Sequence, residues 1–457
     1  MKHKDYFFCG IGGSGMMPLS LIVRAKGHTV AGSDRSLDQG RVAAKFDWLT
    51  GQGIGLFAQD GSGITSADQI VVASAAVESS VPDIVQATAL GCPRLSRADL
   101  LAQLFNASAQ GIAIGGTSGK STVTGMAGWI FHVLGCDPTV MNGAVMKNFA
   151  GPDAPFASAL VGKGDSFISE VDESDGTIAL YCPDIAVLGN IALDHKSMEE
   201  LRSLFGAYVS CARVAVLNAD SAEVMALCPP GALTYSLSGG KADLTASAIV
   251  ERPDGVDFAV NGHMVSLQVP GRHNASNAMA ALGAAVAAGL SLKDAAEALG
   301  GFTGLRRRME VVGTAGGVTV IDDFAHNPDK IAATLTALHA FPGRLLIFFQ
   351  PHGYGPLRLM GKELADTFRA QMTDEDRLIL CDPVYFGGTV DMSIGSDTLA
   401  EAVGPQAQHI PMRGGCGEQL VALAEPGDRV IIMGARDDTL SQFARDVLAK
   451  VGALSDT

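Results

Sequence analysis

The segment Ile112-Ala-Ile-Gly-Gly-Thr-Ser-Gly-Lys-Ser-Thr-Val-Thr124 decides the fold of this chain. An apolar, β-branched run stops at two glycines, and a helix-like stretch opens at Lys120. In a strand, glycine loop and helix of this kind, backbone N–H groups surround phosphate oxygens, a lysine ammonium reaches the outer phosphates, and a hydroxyl ligates Mg²⁺. The positive end of the helix dipole favours the same anion. We therefore predict an ATP-binding loop, with a purely structural turn as the alternative. The predicted loop residues are Gly116, Thr117, Ser118, Gly119, Lys120, Ser121 and Thr122.

The composition is that of an ordinary globular protein with several domains. The chain has 457 residues, of which 47% are hydrophobic and 18% are charged, and this length is too great for one hydrophobic core. The formal net charge of −15 argues against nucleic acid and anionic membrane surfaces as partners, because both need clustered lysines and arginines. An acidic protein with an anionic substrate must concentrate its basic residues locally.

Cysteine usage and the lack of targeting segments favour the cytoplasm. Eight cysteines are scattered without a Cys-x-x-Cys pair, which is typical of reduced, buried thiols and not of a disulfide framework or a zinc site. The N-terminus runs into a strand pattern without the apolar segment of a signal peptide. No apolar run is long enough to cross a bilayer. We expect a cytoplasmic protein that is a monomer or a homodimer.

Strand patterns alternate with helical patterns, which predicts parallel sheets joined by helical crossovers. The expected fold class is α/β, with a Rossmann-like first domain, a central phosphate-loop domain and a Rossmann-like third domain. We predict the domain boundaries 1–107, 108–304 and 305–457. The predicted strands include 6–11, 29–32, 69–73, 166–170, 185–188, 214–217, 318–321, 345–349, 378–381 and 429–433.

A second glycine-rich turn, Gly10-Ile-Gly-Gly-Ser-Gly15, follows the first strand pattern, and Asp34 follows the next one. This G-x-G-x-x-G spacing is a dinucleotide fingerprint, in which the backbone approaches a diphosphate and the acid serves a ribose hydroxyl. A nicotinamide-dependent oxidoreductase is thus one hypothesis. It leaves the other phosphate loop unexplained, and one fold can hold unrelated ligands at the same turn. We favour a diphosphate site for an unspecified partner.

Acidic residues follow the predicted strand 166–170. Glu170 stands at the carboxyl-terminal edge of this strand, where α/β sheets place their ligands, and carboxylate oxygens suit Mg²⁺. A solvated acidic loop is the alternative. The predicted strand 185–188 is followed in the same way by Asp194-His195. His195 is therefore a candidate second-metal ligand or substrate contact.

Amides and arginines near the second domain junction are further candidates. Asn274 and Asn277 begin an alanine-rich helical stretch, where Asn274 is either a helix cap or, with Asn277, a reader of a purine edge. Arg306-Arg307-Arg308 lies at the junction itself. In an acidic chain these arginines favour contact with phosphate, which suits the guanidinium fork, over a solvated basic patch.

In this order, the segments resemble the Mur ligases of peptidoglycan synthesis, and most closely the branch that acts on UDP-N-acetylmuramic acid. The similarity runs through nearly the whole chain. Gly-Thr-Ser-Gly-Lys-Ser resembles the shortened phosphate loop of the family, which explains why Ile114 stands where the Walker pattern has its first glycine. The other shared signatures are Gly-Ile-Gly-Gly-Ser-Gly-Met, Gly-Ser-Asp, Val72-Ala-Ser-Ala-Ala76, Arg97-Ala98, Glu-Val-Asp-Glu-Ser-Asp, Asn-Ile-x-x-Asp-His, His-Asn-x-x-Asn, Arg-Arg-Met-Glu and Asp-Asp-Phe-Ala-His-Asn-Pro.

The resemblance implies an ADP-forming amide ligase that uses ATP and Mg²⁺. ATP would phosphorylate the lactyl carboxylate of the sugar, and the amine of an amino acid or peptide would attack the acyl phosphate. Repulsion between a carboxylate and a phosphoryl group explains why cations are needed. L-Alanine is the leading acceptor, and a murein peptide or another amino acid is the runner-up.

The resemblance also implies individual roles. The implied catalytic residues are Lys120, Glu170, His195 and Arg308. The implied metal ligands are Ser121 and Glu170 on one Mg²⁺ and His195 on a second. Further ATP contacts would come from Asn274 and Asn277 to adenine, Arg308 to the γ-phosphate and Asp323 to the ribose. The implied substrate-binding residues are Gly12, Gly13, Ser14, Gly15, Asp34, Ser74, Arg97, His326 and His352.

Some positions depart from the pattern of the family. Gly353 and Pro356 stand where the alanine enzymes commonly have arginines, the second of which engages the carboxylate of the amino acid, and Arg358 is the remaining arginine nearby. Phe324 replaces the tyrosine usual in those enzymes, and residues 433–437 are similar to folylpolyglutamate-type ligases. The acceptor amine therefore stays open. A non-catalytic nucleotide-binding regulator is a third hypothesis of a different class.

Overall fold

The computed structural model divides the chain into two compact units. The first consists of Met1–Val250, Val256–Gln268 and Asn274–Gly304, and the second of Glu251–Gly255, Val269–His273 and Leu305–Thr457. The structure describes residues 3–74, 77–173, 176–192, 196–385, 391–435, 437 and 439–455.

The N-terminal part of the first unit is a parallel sheet covered by helices. Its elements are β1 (Asp5–Cys9), α1 (Met16–Ala25), β2 (Thr29–Ser33), α2 (Arg35–Asp38), α3 (Ala43–Gly51), β3 (Gly55–Phe57), β4 (Ile70–Ala73), α4 (Pro82–Leu90), β5 (Arg94–Ser96) and α5 (Arg97–Asn106). The strand order is β3-β2-β1-β4-β5. The connections after β1 and β4 therefore leave in opposite directions, and such a switch point is where open α/β sheets bind ligands.

The rest of the first unit is built on a larger sheet. Its elements are β6 (Gln110–Gly115), α6 (Lys120–Val133), β7 (Thr139–Met141), β8 (Ala159–Leu160), β9 (Ser166–Glu170), β10 (Ile185–Leu188), α7 (Met198–Ser210), β11 (Val214–Asn218), α8 (Ala222–Met225), β12 (Leu233–Ser236), β13 (Leu244–Arg252), β14 (Gly255–Val260), β15 (His263–Leu267), α9 (Arg272–Ala287) and α10 (Leu292–Leu299), with 3₁₀ turns at Lys147–Phe149 and Thr177–Leu180. The order is β15-β14-β13-β12-β11-β10-β6-β9-β7-β8.

Strand β6 lies inside this sheet, paired in parallel with β9 and β10. Its residues from Gly111 to Gly115 are buried, as expected of an apolar strand covered on both faces. The register places Ile114 beside Glu170 and Gly115 beside Leu188. Because the three strands run in the same direction, their carboxyl ends, and the segments that follow them, meet at one edge of the sheet.

The second unit contains a mostly parallel sheet with an antiparallel edge strand. Its elements are β16 (Glu310–Ala315), β17 (Val318–Asp323), α11 (Pro328–His339), β18 (Leu345–Gln350), α12 (Tyr354–Gln371), β19 (Arg377–Leu380), α13 (Ser396–Val403), β20 (Ala407–His409), α14 (Arg413–Leu423), β21 (Arg429–Gly434) and α15 (Leu440–Ser455). The order is β16-β17-β21-β18-β19-β20, with β16 antiparallel to β17. The carboxyl ends of β17, β18 and β21 gather polar side chains.

The predicted α/β class is confirmed, and the predicted domain boundaries stay a prediction. The interpretation of Asn274 as a helix cap is wrong, because α9 begins at Arg272 and Asn274 is buried inside it. Gly271, with a φ of +94°, precedes this helix instead. The expectation of buried thiols is wrong for Cys182, Cys211 and Cys228, which are exposed, because they lie at turns and helix ends.

Candidate active site

The phosphate loop between β6 and α6 is held open by its glycines and by one asparagine. Gly116 and Gly119 have φ values of +129° and +86°, a region of backbone conformation that favours glycine. The Asn190 amide clamps the loop, since its Oδ1 accepts from Ser118 N at 2.8 Å and its Nδ2 donates to Ser118 O at 2.9 Å. The two glycines and Asn190 therefore define the shape of the loop.

Thr117 and Thr122 flank this loop in different ways. Thr117 is buried, and its hydroxyl accepts from Ala192 N at 3.0 Å. Thr122 is half-buried in the first turn of α6. Of the predicted loop residues, Thr117 thus joins the loop to the segment after β10.

Lys120, the first residue of α6, points its ammonium back into the loop. Its Nζ donates to Gly116 O at 2.7 Å and to Glu173 Oε2 at 2.8 Å. The side chain of Lys120 is 18% exposed and that of Glu173 is 6% exposed. The ion pair is therefore largely shielded from water, and a phosphate that reaches Lys120 must compete with the Glu173 carboxylate.

Ser121 and Glu170 form a pair of oxygen donors beside the loop. Ser121 Oγ donates to Glu170 Oε2 at 2.7 Å, and the backbone of Gly143 packs so closely on Glu170 that a Cβ there would run into Oε1. Asn142 supports this pair, because its Nδ2 donates to Ser121 O at 2.9 Å. Hydroxyl and carboxylate oxygens are the donor set of a hard divalent cation such as Mg²⁺, so the residues present fit the predicted metal.

His195 and the neighbouring Asp194 lie outside the described residues, so the predicted second-metal ligand stays a prediction. Within the described part of the chain, no group of three or more His, Cys, Asp and Glu side chains is arranged to hold a metal ion. A Mg²⁺ ion usually takes one or two carboxylates together with substrate phosphates and water. A serine and a single glutamate are consistent with that mode of binding.

Asn277 lies against the phosphate loop from α9. Its amide oxygen is so close to the backbone of Gly119 that a Cβ on Gly119 would collide with it. Asn277 Nδ2 donates to Asn274 Oδ1 at 3.1 Å. Asn274 and Asn277, the two residues predicted to contact adenine, therefore lie together near the N-terminus of α6.

The other glycine turn is tied down by Asp34. Asp34 Oδ2 accepts from Gly12 N at 2.8 Å, and Oδ1 accepts from Ser36 N at 2.8 Å, which caps α2. Both carboxylate oxygens of Asp34 thus accept hydrogen bonds from backbone N–H groups. Gly13 and Ser14 are exposed in the same turn.

Arg97, the first residue of α5, covers the end of this turn. A Cβ on Gly15 would lie 3.0 Å from Arg97 Cδ and 3.3 Å from Nη1. Ser74 is half-buried directly after β4. The predicted substrate residues of the first domain therefore gather at the carboxyl edge of its sheet, around the switch point.

In the second unit, Arg307 anchors the segment that carries the predicted phosphate ligand Arg308. Arg307 is buried, with its guanidinium donating to Asp322 Oδ1 at 3.3 Å and to Gly434 O at 2.7 Å. Burial raises the pKa of Asp322, although the Arg307 charge opposes this. The Arg308 guanidinium lies 4.4 Å from the centre of the Phe324 ring, a cation–π contact.

Asp323 is buried, and both its oxygens are engaged. Oδ1 accepts from Met309 N at 3.0 Å and Oδ2 accepts from Thr334 Oγ1 at 2.6 Å. Because a carboxylate oxygen can accept more than one hydrogen bond, both oxygens keep acceptor capacity for the predicted ribose contact. They show that Asp323 also fixes the turn that carries Arg308.

The two predicted histidines of the second unit make an edge-to-face contact. The rings of His326 and His352 are 4.8 Å apart in a T-shaped arrangement, and His326 Nδ1 bonds to Phe324 O at 2.8 Å. Burial, helped by the positive charge of Lys330, lowers the pKa of His326 to about 3. His326 is therefore neutral at physiological pH.

The departures at residues 353 and 356 have a structural basis. Gly353 has a φ of +137° and precedes α12, a conformation that an arginine rarely adopts. Pro356 lies in the first turn of this helix, where proline is tolerated. Arg358 faces outward and pairs with Asp391 at 2.8 Å between Nη1 and Oδ2.

A polar network that the motifs did not predict lies at the ends of β18 and β21. Asp437 Oδ2 accepts from Gln350 Nε2 at 2.9 Å and from Arg413 Nη1 at 2.8 Å. Burial raises the pKa of Asp437, but hydrogen bonds from Thr439 and Gln350 outweigh it and lower the pKa overall. No spacing in the sequence indicates that Arg413 reaches this edge.

Sequence reasoning also missed residues that support the loop. Glu173 and Asn190 lie in segments that were singled out, so the acidic run and the Asn-Ile-x-x-Asp-His string were usable signals. Asn142 carries no such signal. Nor does Lys45, which supports the glycine turn of the first domain by donating from Nζ to Gly12 O at 3.1 Å. The helices in the described ranges include none with the length and hydropathy that a membrane span requires.

Comparison with protein families agrees with this architecture over most of the chain. Residues 5–109 match the Mur ligase family catalytic domain, residues 114–285 the Mur ligase middle domain, and residues 307–436 the Mur ligase glutamate ligase domain. These three matches favour a ligase over the oxidoreductase hypothesis.

Individual relatives cover nearly all of the chain. The UDP-N-acetylmuramate–L-alanine ligase of Pelotomaculum thermopropionicum is 33% identical over 95% of both chains, and that of Acidithiobacillus ferrooxidans is 36% identical over 89% of both.

Among solved structures, the UDP-N-acetylmuramate–alanine ligase of Thermotoga maritima matches with a TM-score of 0.81 and 23% identity, covering 99% of this chain and 100% of that one. The murein peptide ligase of Psychrobacter arcticus matches with a TM-score of 0.72 and 23% identity, covering 98% of each. These two likenesses concern the fold. The three consecutive domain matches and the full-length relatives together show that this chain belongs to the Mur ligase family.

Proposed function

We propose that this protein is an ATP-dependent, ADP-forming ligase that joins L-alanine to the lactyl carboxylate of UDP-N-acetylmuramic acid. The observation that carries this proposal is the similarity to relatives bearing that name over 89% to 95% of the chain. The phosphate loop, with the Lys120 ammonium directed into it, supports the use of ATP. The reaction belongs to peptidoglycan precursor synthesis, and we place it in the cytoplasm, where UDP-sugars and ATP are available.

The first chemical step is phosphoryl transfer from ATP to the sugar carboxylate. A lactyl carboxylate oxygen forms a bond to the γ-phosphorus, the bond to the β–γ bridging oxygen breaks, and ADP leaves. Both reactants are anions, so positive charge must be held between them. Lys120 is positioned for this, because its ammonium already lies inside the loop between two oxygen acceptors.

The second step forms the amide. The neutral amine of the acceptor attacks the acyl carbon, and inorganic phosphate leaves with the oxygen that came from the carboxylate. Residues around the phosphate loop must exclude water here, since water would hydrolyse the acyl phosphate.

Ser121 and Glu170 would hold Mg²⁺ next to Lys120, with His195 assigned to a second ion by its motif. Mg²⁺ supplies charge neutralisation and orientation of the phosphates. The 2.7 Å hydrogen bond between Ser121 Oγ and Glu170 Oε2 keeps both donors at one place. Asn142 restrains the backbone of Ser121 from the other side.

Recognition of the rest of the nucleotide is assigned to the motif residues. Asn274 and Asn277 are proposed to contact adenine, and the close packing of Asn277 on Gly119 supports a position beside bound nucleotide. Arg308 and Asp323 are proposed to contact the γ-phosphate and the ribose.

Recognition of the UDP-sugar is assigned to the first domain. The exposed Gly13 and Ser14, with Gly12, Gly15 and Ser74, form the switch-point edge, and Arg97 supplies a cation there. Asp34 acts by holding the turn through Gly12 N. We assign His326 and His352 to the substrate side of the second unit.

A murein peptide or another amino acid is the alternative acceptor on the same sugar. The observation that favours this alternative is the structure at residues 353 and 356. Gly353 occupies a conformation unsuited to arginine, so the cation that an amino acid's carboxylate needs must come from elsewhere in the chain.

The test is ADP release by purified protein with UDP-N-acetylmuramic acid, MgATP and one amine at a time. We expect L-alanine to give the highest kcat/KM among L-alanine, glycine, L-serine and the murein tripeptide, and Lys120→Ala to abolish the signal. A preference for the tripeptide would select the alternative. If none of the amines supported ADP release, both assignments of the acceptor would be overturned.

A further inference from the structure

An arginine lies at the carboxyl edge of the sheet in the second unit, where open α/β sheets bind their ligands. Arg413 is the first residue of α14. Its Nη1 lies 2.8 Å from Asp437 Oδ2, after β21, and 3.5 Å from Gln350 Oε1, at the end of β18. Its Nη2 donates to Thr439 Oγ1 at 2.8 Å. The guanidinium therefore lies at the ends of the two strands in the middle of this sheet.

These contacts fix the direction of the Arg413 guanidinium and leave it accessible. Asp437, its ion-pair partner, is held in turn by a hydrogen bond from Thr439 N at 2.9 Å. The centre of the Phe443 ring lies 5.7 Å from the guanidinium carbon of Arg413. The side chain of Arg413 is 31% exposed. A guanidinium carries more N–H donors than these contacts with described residues use, so part of its rigid fork is left for a ligand.

Other arginines of the second unit are engaged elsewhere. Arg307 is buried and donates to Asp322 Oδ1 and to a backbone carbonyl, and Arg308 is assigned above to the γ-phosphate. Arg344 and Arg429 lie at the starts of β18 and β21, at the opposite edge of the sheet. Arg413, in contrast, combines a fixed direction with exposure at the carboxyl edge.

The carboxylate of the acceptor amino acid still needs a cationic partner. His326, assigned above to the substrate side of this unit, is neutral at physiological pH, because burial lowers its pKa to about 3. A guanidinium suits a carboxylate, since its planar fork can bind both carboxylate oxygens at once. Arg413 thus offers the chemistry that this anion requires.

We propose that Arg413 binds the carboxylate of the acceptor amino acid and thereby selects acceptors that carry a free carboxylate. The identity of the reaction rests on the proposed function, whereas the choice of the cation rests on the geometry around Arg413. Asp437 and Thr439 are positioning residues, because they hold the guanidinium at the carboxyl edge.

The test compares L-alanine with L-alaninamide, which has the same side chain and an α-amine but no carboxylate. ADP release gives kcat/KM for both acceptors with the unchanged protein, Arg413→Gln and Arg413→Lys. We expect Arg413→Gln to lower kcat/KM for L-alanine at least about tenfold and to change kcat/KM for L-alaninamide less than about twofold, since a hydrogen bond to a charged group is lost with L-alanine alone. Arg413→Lys, which keeps the charge without the fork, should recover part of the loss.

The matched control is Arg369→Gln, which removes an exposed arginine that pairs with Asp366 on α12. This variant should behave as the unchanged protein with both acceptors. An unchanged kcat/KM for L-alanine in Arg413→Gln would overturn the proposal. Equal losses with L-alanine and L-alaninamide would also overturn it, because they describe a structural arginine. Should Arg413→Gln not fold, Arg413→Met, which keeps the aliphatic part of the side chain, is measured in its place, and the same results decide.

Binding of L-alanine without the other substrates separates this proposal from the proposed function. Saturation-transfer NMR measures it for the unchanged protein and for the Arg413 variant. Binding that is lost in the variant, with no ligation by the unchanged protein, would refute only the function. Ligation of L-alanine with equal kcat/KM in both proteins would refute only the role of Arg413, and the absence of both ligation and Arg413-dependent binding would refute both.

Discussion

Changing Glu173 to glutamine tests how the phosphate loop is stabilised. The carboxylate pairs with Lys120 at 2.8 Å in a largely buried site. Removing one partner of a buried pair costs about 3 to 5 kcal/mol, because the other charge stays buried. Glutamine keeps a hydrogen-bond acceptor and Gly116 O still accepts from Lys120, so we expect the lower loss of about 2 kcal/mol in the free energy of unfolding.

ATP should compensate for this loss. In the variant, bound phosphate provides the anion that Lys120 lacks, whereas in the unchanged protein it must displace the Glu173 carboxylate. We therefore expect the nucleotide-free variant to melt at a lower temperature and to gain more from saturating MgATP than the unchanged protein does. Differential scanning fluorimetry with and without MgATP measures both.

The control is Glu297→Gln, an exposed glutamate on α10 in the same unit, which should change neither value. Equal melting temperatures for Glu173→Gln and the unchanged protein without nucleotide would refute the reasoning. So would a smaller ATP-induced shift in the variant, because it would mean that Glu173 assists nucleotide binding.

Further substitutions test other parts of the site. Ser121→Ala should lower kcat at least a hundredfold in the ADP-release assay, while Ser121→Thr, which keeps the hydroxyl, should retain most of the activity; equal activity in both would contradict the metal assignment. Gly119→Ala combines a φ of +86° with a Cβ that collides with Asn277, so it should lower stability by about 1 to 3 kcal/mol and abolish ATP binding measured by titration, and tight binding would disprove this. The pKa of His326 falls from 6.5 to about 3 on folding through burial, so the unfolded chain binds the extra proton between these values, and stability falls as pH is lowered from 6.5 toward 3. Melting curves of His326→Gln over this range should show a shallower acid loss than the unchanged protein, and parallel curves would contradict the low pKa.

The sequence allowed the strands around the phosphate loop to be predicted because they are buried on both faces. Apolar runs bounded by glycines or acids, such as those at Ser166–Glu170 and Ile185–Leu188, match the observed strands. The strands from β12 to β15 were not predicted. In β13, seven of the nine residues are half-exposed or exposed, and its polar residues resemble a loop. One local signal was available there: Asn261-Gly262, with φ values of +46° and +87°, is the dipeptide typical of a tight hairpin turn.

The site was predictable to the extent that its residues follow strands. Glu170 could be placed at a strand end, but the acidic run contains several carboxylates. The structure, with β9 paired beside β6, shows that Glu170 contacts Ser121 and that Glu173 contacts Lys120. The buried position of Lys45 could not be predicted from the sequence, since a lysine on a short helix normally faces water. The contact between Arg413 and Asp437 could not be predicted either, because the two residues follow different strands.

The central claim is that the γ-phosphoryl group of ATP passes to the carboxylate of the sugar. The most direct test uses UDP-N-acetylmuramic acid with both lactyl carboxylate oxygens labelled with ¹⁸O, together with MgATP and the best acceptor amine. An acyl phosphate predicts that the released inorganic phosphate carries one labelled oxygen and that the amide product keeps the other, as mass spectrometry would show. Unlabelled phosphate accompanying amide formation would contradict the account.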